Sequence, residues 1–153
     1  MAKILEQNPQ LRGVIVEVPG LIEEARQVLE DAGVAARCDC IAGDYMAALP
    51  EGGDVYLLKS IIHGMTEDNA IRLLGNCRRS MANRGRLLVI QVIIPPWDTP
   101  ARIKLNDILH LVEGGGQERT ADEYRALFDA AGFRLAQVYP TATGFSILEG
   151  VLA

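Results

Sequence analysis

No apolar run in the chain approaches the roughly 18 residues a membrane-spanning helix needs, which excludes such a span. The opening segment, Met1-Ala2-Lys3-Ile4-Leu5-Glu6, has neither the basic run nor the continuous apolar stretch of a secretory signal. Basic charge is also scarce. Fifteen Lys and Arg against 20 Asp and Glu leave a net charge of −5, a poor start for gripping phosphate backbones, so no nucleic-acid partner is expected. Cysteine is sparse, with Cys38, Cys40 and Cys77 unable all to pair, and there are only two histidines. That is too few ligands at useful spacing for a metal centre, so no metal is expected. The three thiols read as reduced, which points to a cytoplasmic setting. No G-x-G-x-x-G occurs, which argues against a dinucleotide-binding oxidoreductase module. Repeats and low-complexity tracts are absent as well.

What is present is a chain of 153 residues, 49% apolar, 23% charged and 5% aromatic, enough for one domain with a real core, so residues 1–153 are read as a single unit. Glycine and proline punctuate it, and the segments between them alternate in period. Residues 2–7 resemble the end of a helix, stopped by Asn8-Pro9. Residues 13–18 are rich in β-branched side chains and predict a buried strand. From Leu21 to Ala32 the apolar residues recur at helical spacing, and Gly33 stands where a helix-ending glycine belongs. Further strands are expected over 37–42, 54–60 and 85–94, the middle one with Val55, Tyr56, Leu57 and Leu58 buried on both faces, the last broken by Pro95-Pro96. Thr66 is a good cap for a helix that carries Ala70, Ile71, Leu74, Cys77 and Met81 inward. A helix is expected over 101–112. Thr120-Ala121-Asp122-Glu123 is a capping box opening another, which Gly132 closes. Two strands follow, 134–139 and 145–151.

Alternating strands and helices imply parallel strands with crossover helices, a doubly wound α/β sheet. The link between the last two strands, residues 140–144, is too short for a crossover, so that pair must be antiparallel. In such sheets ligands bind beyond the carboxyl ends of the strands. There the sequence puts Glu17, then Gly43-Asp44, then Lys59 with His63 four residues on, and then Gln91. Acids after the first two strands suit ribose hydroxyls and an adenine amino group, all hydrogen-bond donors. His63, with an ordinary pKa near ~6.5, suits a general base at neutral pH.

The run from Asp54 to His63 resembles the segment around the catalytic histidine of S-adenosylmethionine-dependent O-methyltransferases, the plant caffeate and flavonoid enzymes and their bacterial polyketide and antibiotic relatives. The similarity continues through residues 76–79, 87–90, 115–120 and 130–133, in order along nearly the whole chain. It implies a Rossmann-like class I methyltransferase sheet with a C-terminal antiparallel hairpin. It also implies roles: Glu17 for the cofactor ribose, where the family has Asp as a rule, Asp44 and Tyr45 for adenine, and Lys59 for the cofactor pocket. His63 becomes the base that removes the substrate hydroxyl proton, Glu118 one of two carboxylates flanking it, and Asp107 an acid of the helix over the pocket. The substrate implied is a small phenolic or polyketide-like molecule. Methyl transfer from a sulfonium is an in-line displacement needing alignment and removal of one proton, and no metal.

The departures from the family pattern are specific. Gln91 stands where the second flanking carboxylate is expected, and can accept a hydrogen bond but supplies no charge. His110 stands where a methionine often packs on the substrate ring, and Gly64-Met65 replace an Asp-Trp pair. The glycine-rich cofactor loop, the central strand before it and an N-terminal helical dimerisation domain have no counterpart, as if the chain began inside the helix after that loop. Two apolar strand edges should then remain, pairing with each other or covered by a second copy in a homo-oligomer. Two readings stay open: an O-methyltransferase catalytic domain, or a non-catalytic remnant with weak or no cofactor binding that acts, if at all, through oligomerisation or a partner chain.

Overall fold

The computed structural model describes residues 1–95 and 103–153, apart from the side chains of residues 106, 113 and 114. Pro96 and the expected helix start at Ala101 lie outside the described residues. The chain divides into two compact units, Met1–Pro50 and Glu51–Ala153.

The first unit is one β-α-β motif with a preceding helix. Helix α1 (Ala2–Gln7) leads to strand β1 (Gly13–Glu17), helix α2 (Pro19–Asp31), a short 3₁₀ turn at Ala35–Arg37 and strand β2 (Cys38–Ala42). Strands β1 and β2 are parallel, in register from Gly13 opposite Cys38 to Glu17 opposite Ala42. Pro19 opens α2, where its missing N–H costs nothing. Gly33 follows the last turn with φ +67°, the left-handed geometry that ends helices and that glycine adopts without strain. Leu5, Leu29, Val34 and Cys38 form the buried centre, with Cys40 packed against it, so the two strand cysteines do face one side. Arg37 ties the end of α1 down by donating to the carbonyls of Leu5 (2.7 Å), Leu11 (3.1 Å) and Asn8 (3.3 Å).

The second unit holds strand β3 (Gly53–Lys59), a 3₁₀ turn at Ile62–Gly64, helix α3 (Glu67–Ser80), strand β4 (Met81–Gln91), helices α4 (Ile103–Gly114) and α5 (Ala121–Ala130), and strands β5 (Phe133–Pro140) and β6 (Ser146–Leu152). The sheet order is β3-β4-β6-β5. Strands β3 and β4 are parallel, and β6 is antiparallel to both β4 and β5. The mixed α/β sheet with its terminal antiparallel hairpin is therefore as expected. Thr66 caps α3 through Asn69 N–H, and the Thr120–Glu123 capping box is complete in both directions. Leu73, Leu74, Cys77, Leu87, Val89, Tyr124, Phe128, Phe133 and Leu148 are buried.

Two local expectations need correction. Strand β3 is not buried on both faces: Val55 is 52% and Leu57 36% exposed, while Tyr56 and Leu58 are partly covered. Side chains alternate across a strand, so Tyr56 and Leu58 share the row that gains cover and Val55 and Leu57 the other; among the described residues β4 is the one strand hydrogen-bonded to β3. Met81 is buried, but as the first residue of β4 and not the last of α3, and β4 thus starts earlier than Gly85. Among the described residues, strand β1 pairs with β2 and strand β3 with β4.

Candidate functional site

The residues singled out from sequence fall into two groups, one in each unit. In the first unit, the parallel pairing of β1 and β2 brings Glu17 and the Gly43-Asp44 turn to the same carboxyl end, with the Gly43 N–H donating to the Glu17 carbonyl at 3.0 Å. The Asp44 carboxylate accepts from the Met46 N–H at 2.7 Å, a local turn that holds the acid at the strand end. Glu17 Oε1 accepts from the Val18 N–H at 2.8 Å. Asp44 is exposed, and Glu17 and Tyr45 are half-buried.

The second unit builds its group around His63. Strand β3 ends at Lys59, whose ammonium lies 5.0 Å above the Phe145 ring, a cation–π contact. Ser60 then takes φ +55°, a left-handed conformation that non-glycine residues rarely adopt, and its N–H donates to the Ile90 carbonyl at 3.1 Å. Such strain persists only where surrounding contacts enforce it. The chain turns there, fully buries Ile62, and presents His63 on the 3₁₀ turn.

Four side chains converge on that turn. Glu118, 3% exposed at its side chain, places Oε1 3.7 Å from His63 Nδ1 and 3.5 Å from His110 Nε2. The two imidazoles stack, with centroids 4.5 Å apart and 20° between planes. Gln91, at the end of β4, is 1% exposed. In the orientation that matches its neighbours, its oxygen accepts from the N–H groups of Ile61 and Ile62, each at 3.2 Å, and its NH₂ donates to His63 Nδ1 at 3.3 Å. Burial holds the His63 pKa below its ordinary 6.5, and the nearby His110 charge pushes the same way. Burial likewise raises the Glu118 carboxyl above its ordinary 4.5, opposed by His110. Glu118 Oε2 has no hydrogen-bond partner among the described residues.

The loop carrying Glu118 is locked onto this turn from several sides. Its own N–H donates to Asp107 Oδ1 at 2.7 Å, so the Asp107 carboxylate anchors the loop. Gly115 follows helix α4 at φ +72°, and the Gly116 N–H donates to the His110 carbonyl at 3.2 Å. A Cβ on Gly116 would lie 2.3 Å from the His63 carbonyl oxygen, so only glycine permits this approach. Arg119, 2% exposed, donates to the carbonyls of Ile62 (3.3 Å) and Gln117 (3.1 Å). Neither Gly116 nor Arg119 was singled out from sequence. The run of three glycines was the available signal, because adjacent glycines mark close backbone approach.

His63, His110 and Glu118 each offer one donor atom within 4.8 Å of the others, so this trio is where a metal would go. On the Glu118 side, however, His63 offers Nδ1, whose lone pair already receives the Gln91 amide. A cation there would have to displace that bond. The arrangement sets one buried carboxylate beside two stacked imidazoles.

A sheet of this mixed order, with a half-buried histidine beyond β3 and a buried carboxylate beside it, makes this an α/β protein with a candidate acid–base site. It superposes on the mitomycin 7-O-methyltransferase MmcR with a TM-score of 0.94 at 38% identity, covering 100% of this chain and 45% of that one. It matches CalO1, the methyltransferase of calicheamicin biosynthesis in its SAH-bound form, with a TM-score of 0.89 at 38% identity, over 99% and 45%. The chain belongs to the O-methyltransferase domain family, whose family model matches residues 1–134. Among curated relatives, the phenazine O-methyltransferase PhzM of Lysobacter antibioticus is 40% identical over 97% of this chain and 44% of its own length. The mitomycin biosynthesis 6-O-methyltransferase of Streptomyces lavendulae is 39% identical, over 94% and 41%. The chain thus spans less than half the length of these relatives.

Proposed function

We propose that this chain carries the S-adenosylmethionine-binding and proton-handling part of an O-methyltransferase acting on a hydroxyl of a small phenolic or polyketide-like molecule. The observation that carries the reading is the His63–Glu118 approach of 3.7 Å on a turn beyond a parallel strand. His63 meets the acceptor hydroxyl and takes its proton as the methyl arrives, since a phenol with a pKa near ~10 is a poor nucleophile while protonated. A depressed pKa keeps the ring neutral at physiological pH, as a base must be. Glu118 favours the imidazolium once it forms, and His110 and Asp107 belong to the acceptor side. Glu17 takes the cofactor ribose, Asp44 and Tyr45 the adenine, and Lys59 the cofactor pocket. The SAH-bound CalO1 structure supports this choice of cofactor.

A second reading keeps the fold without the transfer, and Gln91 favours it, because a neutral amide replaces the expected second carboxylate. Self-association accords with this reading: among the described residues β3 has one hydrogen-bonded neighbour, and Val55 and Leu57 are exposed, which a second copy would cover. Three free thiols accord with a reducing, cytoplasmic setting.

Calorimetric titration with S-adenosylhomocysteine decides between the two. Micromolar binding supports the enzyme reading, and no heat at high ligand concentration supports the remnant. Where binding is seen, His63→Gln should abolish transfer to a phenol and leave cofactor affinity nearly unchanged. Equal loss of both would contradict the base assignment.

A further inference from the structure

We infer that Gln91 is a positioning residue that holds neutral His63 in the tautomer with its proton on Nε2. This rests on His63 meeting the acceptor; the resting ring offers a proton at Nε2, and it takes one from an un-ionised hydroxyl only after breaking its bond to Gln91.

The argument is one of hydrogen-bond matching. The Gln91 side chain is buried and faces three groups: the N–H of Ile61, the N–H of Ile62 and His63 Nδ1. Its oxygen can satisfy both backbone donors at 3.2 Å, which leaves its NH₂ 3.3 Å from Nδ1. Turning the amide over would let the oxygen accept from a proton on Nδ1. It would also set the NH₂ against two backbone N–H groups, so two donors lose their acceptor for one bond gained. Glu118 does not compete for a proton on Nδ1, because 3.7 Å is beyond hydrogen-bond distance, and its Oε1 lies nearer His110 Nε2 at 3.5 Å. Nδ1 is therefore an acceptor and Nε2 carries the proton, since a neutral imidazole has one of each. The His63 side chain is 26% exposed, so its Nε2–H is the donor left to offer to an acceptor molecule.

A carboxylate in place of Gln91 would behave differently. Its oxygens would accept from both backbone N–H groups and from a proton on Nδ1 together, leaving Nε2 free to take a proton. The amide thus makes His63 a hydrogen-bond donor at Nε2, matched to an oxygen that is ionised on arrival. An ordinary hydroxyl requires the ring first to give up Gln91.

Nitrogen-15 NMR of the unmodified protein tests this directly, because the two ring nitrogens report their protonation separately at a pH where His63 is neutral. His63→Gln identifies the resonances. The expected result is an unprotonated Nδ1 and a protonated Nε2. A protonated Nδ1 would overturn the inference. Gln91→Glu, where it folds, should reverse the pattern and raise the His63 pKa; an unchanged tautomer in the folded variant would also count against the assignment. The expected tautomer together with no transfer to any phenol, by a protein of the relatives' full length, would sink the methyl-transfer reading and leave the role of Gln91 standing.

Discussion

The rings of His63 and His110 are stacked, 4.5 Å between centroids and 20° between planes. Two imidazoles this close resist carrying two protons, so the residue replacing an apolar packing partner acts electrically on the candidate base. Burial is the larger cause of the lowered His63 pKa, and the His110 charge is the second.

His110→Phe should keep the stack and remove the charge, so the His63 pKa should rise toward 6.5 without reaching it. A pKa below its unfolded value means that the native state binds fewer protons. The stability this contributes is present above pH ~6.5 and lost as pH falls through the folded value. The variant should lose less stability on acidification. NMR titration of His63 and urea unfolding between about pH 5 and 8 check both.

Glu118 behaves with the opposite sign. Its folded pKa is raised above 4.5, chiefly by burial, so its contribution is full below that value and lost as pH rises through the folded pKa. Glu118→Gln should be at least as stable as the unmodified protein at neutral pH and should flatten that loss. Transfer activity, where present, should fall. Denaturant midpoints across the pH range measure the first effect, and an assay the second.

Gly116→Ala forces a methyl group to within 2.3 Å of the His63 carbonyl oxygen, where backbone must move. Overpacking of this kind costs about 1–3 kcal/mol. The shift should appear in the urea midpoint, together with displaced His63 and Glu118 resonances.

Thr120→Ala removes one side of the α5 capping box and should cost about 1 kcal/mol, with little change in the His63 titration. A larger effect on His63 than on stability would show that the cap governs the loop carrying Glu118.

If Nε2 carries the proton, transfer by a protein of the relatives' full length should favour acidic phenols ionised at the assay pH. Nitro-substituted phenols should exceed unsubstituted phenol by more than intrinsic reactivity explains. Gln91→Glu should recover the unsubstituted substrate by about 100-fold, the scale of a general base. Comparison of kcat/KM across the phenol series in both proteins reads this out.

Much of the architecture was legible before any coordinates. Thr66, Gly33, the Thr120–Glu123 box and the short link at residues 140–144 act through bonds spanning a few residues, so their signals are local. The burial of β3 was misread because apolar composition marks what a strand can bury and not whether a neighbour covers it. Val55 and Leu57 lie on the uncovered row. His63, Glu118 and Gln91 were legible as candidates. Asp107 was legible as an acid over the site, but not as the acceptor of the Glu118 N–H. Arg119 reaches Ile62 across 57 residues of sequence, a separation over which no periodicity carries information.

The sequence by itself determined the alternation of strands and helices, the antiparallel end of the sheet, and the presence of an acid, a histidine and an amide at successive strand ends. Side-chain periodicity and capping are short-range, and they are written in neighbouring residues. Only the tertiary structure decided what those groups do to one another: that His110 stacks on His63, that Glu118 lies beyond reach of a proton on Nδ1, and that two backbone N–H groups turn the Gln91 amide. Each depends on closing loops to within an ångström, the distance over which a hydrogen bond is made or lost.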